Sequence, residues 1–391
     1  MGRKASHINI CVCGLNTTTA LLGVLERSFH LDAGVTSQLL IRGHIMMFQR
    51  TLLSAGRLLS GMVKQSTTHR AFCTTPRAAA FNQPLSPDVL PRPAGICTMM
   101  RLPSQATTKG LDVGFIGVPL DMGVGYRNGT RMGPRNVRVE SVYLKSLNAS
   151  TGAAPFESLL VADVGDVRLN QYNLVTACEE IRRYYTNVEC IPLTIGGDHT
   201  LTYPILQALK EKHGPMGLIQ LDAHTDTVDN IAGDKICHST PIRRAVEDGC
   251  IIPEKTVQIG IRGGGYSMDY VQWGIDQGFR VVRAEECWHK SLTPLMEEVR
   301  AMMGDIPVYV TFDIDALDPS FAPGTGALEI GGLTTIQGLE VVRGCRGLNI
   351  IGGDVVEVSP PYDNNNMTSM AAAHYLFEML CVLPGVKYYP L

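Results

Sequence analysis

Charge of either sign is sparse in this chain: 18% of its 391 residues are Asp, Glu, Lys or Arg, and the formal net charge is -3. That balance argues against a nucleic-acid binder, and no basic stripe with interleaved aromatics appears in the body. No Cys-x-x-Cys pair occurs among the 11 cysteines, which are odd in number and scattered. Neither a disulfide framework nor a thiolate zinc site is therefore indicated, and a reducing compartment fits best. No apolar run reaches the roughly 18 residues needed to span a bilayer, so a soluble protein without membrane partners is expected. With 45% apolar residues, the chain can bury a large core.

One further absence divides the chain. Between Asp32 and Asp88 there is no acidic residue, while Arg42, Arg50, Arg57, Lys64, Arg70 and Arg77 supply positive charge. Arg50, Arg57 and Lys64 recur every seven positions, with Leu52, Leu53, Leu59, Met62 and Val63 towards the other side of the helical projection. A basic, amphipathic, acid-poor N-terminus has the composition of a mitochondrial transit peptide. Residues 1–80 are expected to be a disordered leader carrying that signal, directing the chain to the mitochondrial matrix. Pro84, Pro87, Pro91 and Pro93 mark 81–110 as a Pro-rich linker that separates the leader from the globular body at 111–391.

From Asp112 onward, short β-branched runs alternate with stretches of helical period, the pattern of βαβ units on a parallel sheet. Eight strands are expected: 112–119, 158–164, 191–195, 217–222, 256–261, 279–284, 307–312 and 348–356. Helices are expected at 174–185, 203–212, 293–303, 335–343 and 369–383. Eight such repeats suit a closed barrel as well as an open doubly wound sheet, and both place active sites at the carboxyl ends of strands.

At those ends lie His199, Asp222-Ala223-His224-Thr225-Asp226, and Asp313-Ile314-Asp315. The two-residue spacing would put Asp222, His224 and Asp226 on one side of an extended segment, and likewise pair Asp313 with Asp315. Four carboxylates and two imidazoles without a thiol suit two divalent cations, manganese ahead of magnesium and zinc. Such a pair makes a nucleophile of water at neutral pH, so the chain reads as a hydrolase. Gly263-Gly264-Gly265 lacks the spacing of a dinucleotide loop and reads as a turn.

These segments resemble the signature of the ureohydrolase family of arginases, agmatinases and guanidinobutyrases. Gly117-Val118-Pro119-Leu120-Asp121 with Arg127 and Gly129, Arg131-Met132-Gly133-Pro134, Gly324-Thr325-Gly326, and Val356-Glu357-Val358-Ser359-Pro360 extend the likeness over residues 111 to 384. It is strongest to the mitochondrial agmatinase-like branch, also described as guanidino acid hydrolases. The resemblance implies an arginase-like α/β fold, a three-layer αβα sandwich on an open, mainly parallel eight-stranded sheet. It implies two Mn2+ per subunit, one held by His199, Asp222, Asp226 and Asp313, the other by Asp222, His224, Asp313 and Asp315. It also implies that Glu357 holds the substrate guanidinium, that His238 transfers protons, and that the chain forms a homo-oligomer, a trimer or hexamer.

The chain departs from that pattern around the mouth of the expected site. Thr227 to Cys237 lacks the hydroxyl cluster with which arginases fix arginine; Ser239 stands where Gly is usual; Ala327-Leu328 replaces Thr-Pro; and Val124-Gly125-Tyr126 is unusual. Arginine is therefore a poor candidate beside agmatine or an ω-guanidino acid such as 4-guanidinobutyrate. A distal amine prefers an acidic rim and a distal acid a basic one. Asp229, Asp234, Arg127, Lys235 and Arg262 are available for that rim. Competing readings are a zinc-dependent amide hydrolase of deacetylase type, and a silent homologue acting through partners.

Overall fold

The computed structural model describes residues 81–391. The leader and its transit-peptide reading fall on 1–80, outside the described residues.

Mostly apolar runs form the central strands, such as Val113–Gly117 and Met216–Leu221, which are buried on both faces as a parallel sheet covered by helices requires. The strands are β1 (Val113–Gly117), β2 (Ala153–Ala154), β3 (Val161–Asp166), β4 (Ile191–Ile195), β5 (Met216–Leu221), β6 (Ile251–Ile261), β7 (Arg280–Arg283), β8 (Pro307–Asp313), β9 (Asn349–Val356) and β10 (Lys387–Tyr388). Eight of them form one sheet in the order β3-β1-β4-β9-β8-β5-β6-β7. Every pairing within it is parallel. Because β3 and β7 end the order and do not pair with each other, the sheet is open, and the closed barrel that periodicity left possible is excluded. β2 and β10 pair separately and antiparallel.

The helices are α1 (Gly133–Glu140), α2 (Leu174–Thr186), α3 (Thr202–His213), α4 (Pro241–Glu247), α5 (Asp269–Gln277), α6 (Ala284–Cys287), α7 (Thr293–Met303), α8 (Thr335–Gly344) and α9 (Met367–Val382). Side chains of α1, α7, α8 and α9 pack into one apolar cluster, and those of α2, α3, α4 and α5 into a second. The two clusters lie on opposite faces of the sheet, giving the expected three-layer sandwich.

The Pro-rich segment expected to act as a linker is packed against the body. Asn82 Nδ2 donates to the Val161 carbonyl at 2.9 Å, Gln83 Nε2 to that of Phe156 at 2.7 Å, and the Met99 N–H to Asp163 Oδ2 at 2.6 Å. Met99 and Met100 are fully buried. Prolines remove backbone donors, but here amide side chains and two methionines supply the contacts that composition alone does not reveal.

Candidate metal centre and active site

Four neighbouring strands at the middle of the sheet, β4, β9, β8 and β5, end at one crevice. β5 leads into Asp222 to Asp226, β8 into Asp313 and Asp315, β4 into His199, and β9 into Glu357. Carboxyl ends of parallel strands are where open α/β sheets place ligands.

The local geometry differs from the extended one expected of the two-residue spacing. Asp226 adopts a left-handed backbone, φ 52°, so the segment after β5 bends. Asp315 lies on a 3-10 turn (Ile314–Ala316) capped by Asp313, whose Oδ1 accepts the Asp315 N–H at 2.9 Å. The turn takes Asp315 off the strand that ends at Asp313. The ligand-type side chains converge through turns, and left-handed backbone at a non-glycine residue is a strain that folds retain at functional sites.

His199, Asp222 and Asp226 bring one donor atom each within 4.8 Å of one another, and so do Asp222, His224 and Asp315. Asp222 belongs to both groups: Oδ2 is 3.2 Å from His199 Nδ1 and Oδ1 is 3.7 Å from His224 Nδ1. Asp226 Oδ2 is 2.9 Å and Asp313 Oδ2 3.4 Å from His199 Nδ1, while Asp315 Oδ2 is 2.9 Å from His224 Nδ1. Asp313 stands beside the first group with Oδ2 as its uncommitted oxygen. Although three carboxylates surround it, the buried His199 Nδ1 makes no hydrogen bond, because none lies along its ring direction. A nitrogen aimed at the gap between carboxylates is what a cation would fill.

Electrostatics agree. Burial opposes protonation of both imidazoles, but the carboxylates around them outweigh it and push both pKa values up. Burial drives Asp313 well above the usual carboxylate range, with Asp315 and Asp222 adding repulsion. Asp222 moves the other way, since the two histidines beside it outweigh its burial. Protons are thus the countercharge where cations are absent, and a divalent ion would displace them.

Groups behind the cluster orient it. Gln220 Nε2 donates to Asp222 Oδ2 at 2.7 Å, and Gln258 Nε2 donates to Gln220 Oε1 at 2.8 Å. The Ala223 N–H donates to Asp315 Oδ1 at 3.0 Å. Gly263 lies against the His224 ring, where a Cβ would come within 3.0 Å of Nε2.

Glu357 and His238 also come together. Glu357 is buried, with φ 62°, and its Oε1 lies 3.7 Å from His238 Nδ1. Burial, with the charge of Asp198 next, raises its pKa well above normal. The His238 N–H donates to the Gly123 carbonyl at 3.3 Å, and the Gly123 N–H to Asp198 Oδ2 at 2.9 Å. The loop after β1 therefore fixes His238. Both residues line a cavity of about 460 Å³ that also exposes His224, Asp226, Asp313 and Asp315.

Of the rim candidates, only Asp229 lines this cavity. Arg262 spends its guanidinium on main-chain carbonyls, among them Asp315 at 2.8 Å and Glu329 at 2.8 Å. Arg127 lies over the Tyr362 ring, 4.2 Å from its centroid. Asp234 and Lys235 are exposed and outside the wall. Arg243, Asp269 and Tyr270 line the cavity without having been signalled by the sequence. Arg243 follows His238 closely in sequence, which is the one signal that could have found it.

Residues 111–381 match the arginase family. The chain is 59% identical over 314 residues to the mitochondrial agmatinase of Gallus gallus, covering 80% of this chain and 92% of that one. It is 58% identical over 311 residues to the mitochondrial guanidino acid hydrolase of Homo sapiens, covering 79% and 88%. Its fold is similar to that of proclavaminate amidino hydrolase from Streptomyces clavuligerus, with TM-score 0.71 and 37% identity over 75% of this chain and 99% of that one.

Proposed function

The chain belongs to the arginase family, and we propose that it hydrolyses the guanidino group of a small linear compound, agmatine or an ω-guanidino acid such as 4-guanidinobutyrate, to urea and an amine. The observation that carries this reading is the sharing of Asp222 between two imidazole-carboxylate groups that open into the cavity holding Glu357 and His238.

The donor set fits two hard or borderline ions, and manganese is the proposed pair. His199, Asp222, Asp226 and Asp313 would hold one; Asp222, His224, Asp313 and Asp315 the other. When bound, such a pair supplies a water-derived nucleophile at neutral pH. The residues of the chain do the rest. A guanidinium keeps its charge in any environment, so the buried Glu357 carboxylate gains a countercharge when substrate enters and its raised pKa falls. Glu357 Oε1 is held by the His199 N–H at 2.8 Å, leaving Oε2 for the substrate. His238, half-buried beside Glu357, can hand a proton to the departing amine, directly or through water. The wall carries Arg243, 3.5 Å from Asp229, and also Asp269, so both signs of charge are at hand for the distal end of the substrate.

The names of the two mitochondrial relatives and the basic, acid-poor leader support location in the mitochondrial matrix. The family resemblance supports a homo-oligomer, a trimer or hexamer. One experiment tests the function: metal analysis of the purified chain with urea release from agmatine, 4-guanidinobutyrate, other guanidino acids and arginine. Two Mn2+ per chain with urea from one of the first three classes supports the proposal; no urea from any after manganese loading defeats it.

A further inference from the structure

Behind His199 runs a chain of buried hydrogen bonds that the proposed chemistry does not use. His199 Nε2 is 2.8 Å from Thr311 Oγ1, and Thr311 Oγ1 donates to Asp354 Oδ1 at 2.6 Å. The other Asp354 oxygen accepts from Thr202 Oγ1 at 2.8 Å and from the Tyr309 hydroxyl at 2.8 Å. All five residues are fully buried. They come from β8, β9, the start of α3 and the turn after β4, so the chain ties together the elements that flank the cluster.

The direction of this chain follows from counting protons. A hydroxyl carries one proton, and an ionised carboxylate only accepts. Asp354 takes the protons of Thr202, Tyr309 and Thr311, three donors on two oxygens. Thr311 then has no proton left for His199, so its oxygen can only accept, and the donor must be Nε2–H. The neutral imidazole therefore carries its lone pair on Nδ1, the atom that faces Asp222, Asp226 and Asp313. Among the described residues His224 has no such support: the nearest acidic oxygen to its Nε2 is Glu329 Oε1 at 3.8 Å, beyond hydrogen-bond reach.

We propose that Thr311 and Asp354 are positioning residues that lock His199 in the Nε2–H form and so set the cation affinity of the group built on His199 independently of the group built on His224. This rests on the two-cation reading above. Outer partners of a ligating histidine typically change metal affinity by about 10- to 100-fold when removed.

The test uses the full chain stripped of metal and titrated with Mn2+ alone, free Mn2+ being read by electron paramagnetic resonance and folding by thermal unfolding. In Thr311→Val, one of the two dissociation constants is expected to rise about 10- to 100-fold while the other stays at its wild-type value. Thr311→Ser, which keeps the hydroxyl, should restore both. Asp354→Ala should weaken the same constant, because Thr311, left without its acceptor, is free to donate to Nε2, and the imidazole proton then moves to Nδ1. Thr311→Ala carries the same expectation as Thr311→Val and serves if valine does not fold. A folded variant with both constants unchanged, or with both weakened alike, overturns the proposal alone. Wild-type protein that takes up no Mn2+ overturns the metal reading itself and this proposal with it.

Discussion

Glu357 accepts the main-chain N–H of His199 at 2.8 Å across 158 positions of sequence. The bond fixes one carboxylate oxygen against the turn after β4 and leaves the other to the cavity. Glu357→Gln keeps an acceptor for His199 but removes the negative charge that a guanidinium needs. Losing one partner of a buried charge pair costs about 3 kcal/mol, so kcat/KM should fall roughly 100-fold with Mn2+ content unchanged. A variant with wild-type kcat/KM would remove Glu357 from the substrate site.

His238 is held by its own backbone, through the Gly123 carbonyl, and not by its ring. His238→Asn should therefore preserve the fold and the cation cluster while removing a proton carrier. A positioned acid-base group contributes about 10²- to 10⁴-fold, so kcat should drop by at least roughly 100-fold with little change in KM. Steady-state urea release with metal analysis checks this; unchanged kcat would assign the proton transfer elsewhere.

The strands were legible because a covered parallel strand is a continuous apolar run that stops at a polar cluster. Met216–Leu221 stopping at Asp222 and Ile191–Ile195 followed by His199 show it. Helices α2, α3, α7, α8 and α9 repeat their period often enough to be read, whereas α1, α4 and α5 are too short. The pairing of β2 with β10 is long-range, with no local trace. For the site, residue types and strand-end positions were legible. The left-handed turn at Asp226, the Gln220-Gln258 pair and the wall residues Arg243 and Tyr270 were not, because each is ordinary until folding brings it to the cavity.

Proton uptake by the cluster gives the metal-free protein a specific pH response. His199 and His224 have raised pKa values in the fold, so they contribute stability fully present below the unfolded value of about 6.5 and lost as pH rises above it. Asp313 and Glu357, raised chiefly by burial, act with the same sign from about pH 4 upward; Asp222, lowered, opposes them only in acid. The melting temperature of chelated protein should therefore fall between pH 6.5 and 8.5. Mn2+-loaded protein, whose imidazoles are already deprotonated, should fall less, so the difference between the two should widen. Parallel melting curves that keep a constant separation would contradict the assignment.

Gly263 offers a test of the second cation group that leaves every ligand in place. It follows Arg262 beyond β6, where the Gly263 N–H donates to the Ala223 carbonyl at 2.8 Å, bringing its Cα against the His224 ring. A methyl there would overlap His224 Cδ2 and crowd the Ala223 carbonyl at 3.1 Å. The ring can yield, being half-buried at the cavity wall, but the carbonyl cannot without breaking two main-chain bonds, those from Arg262 and Gly263. The imidazole is therefore the part that moves, and its Nδ1 leaves the position 2.9 Å from Asp315. Gly263→Ala should fold, with a metal-free melting temperature lowered near pH 6.5 by loss of the His224–Asp315 contact, and should lose the cation of the His224 group while keeping that of the His199 group. Metal analysis should then find one Mn2+ per chain instead of two, and urea release should fall with the missing ion. Two tightly held ions in this variant would mean that His224 does not serve as a ligand.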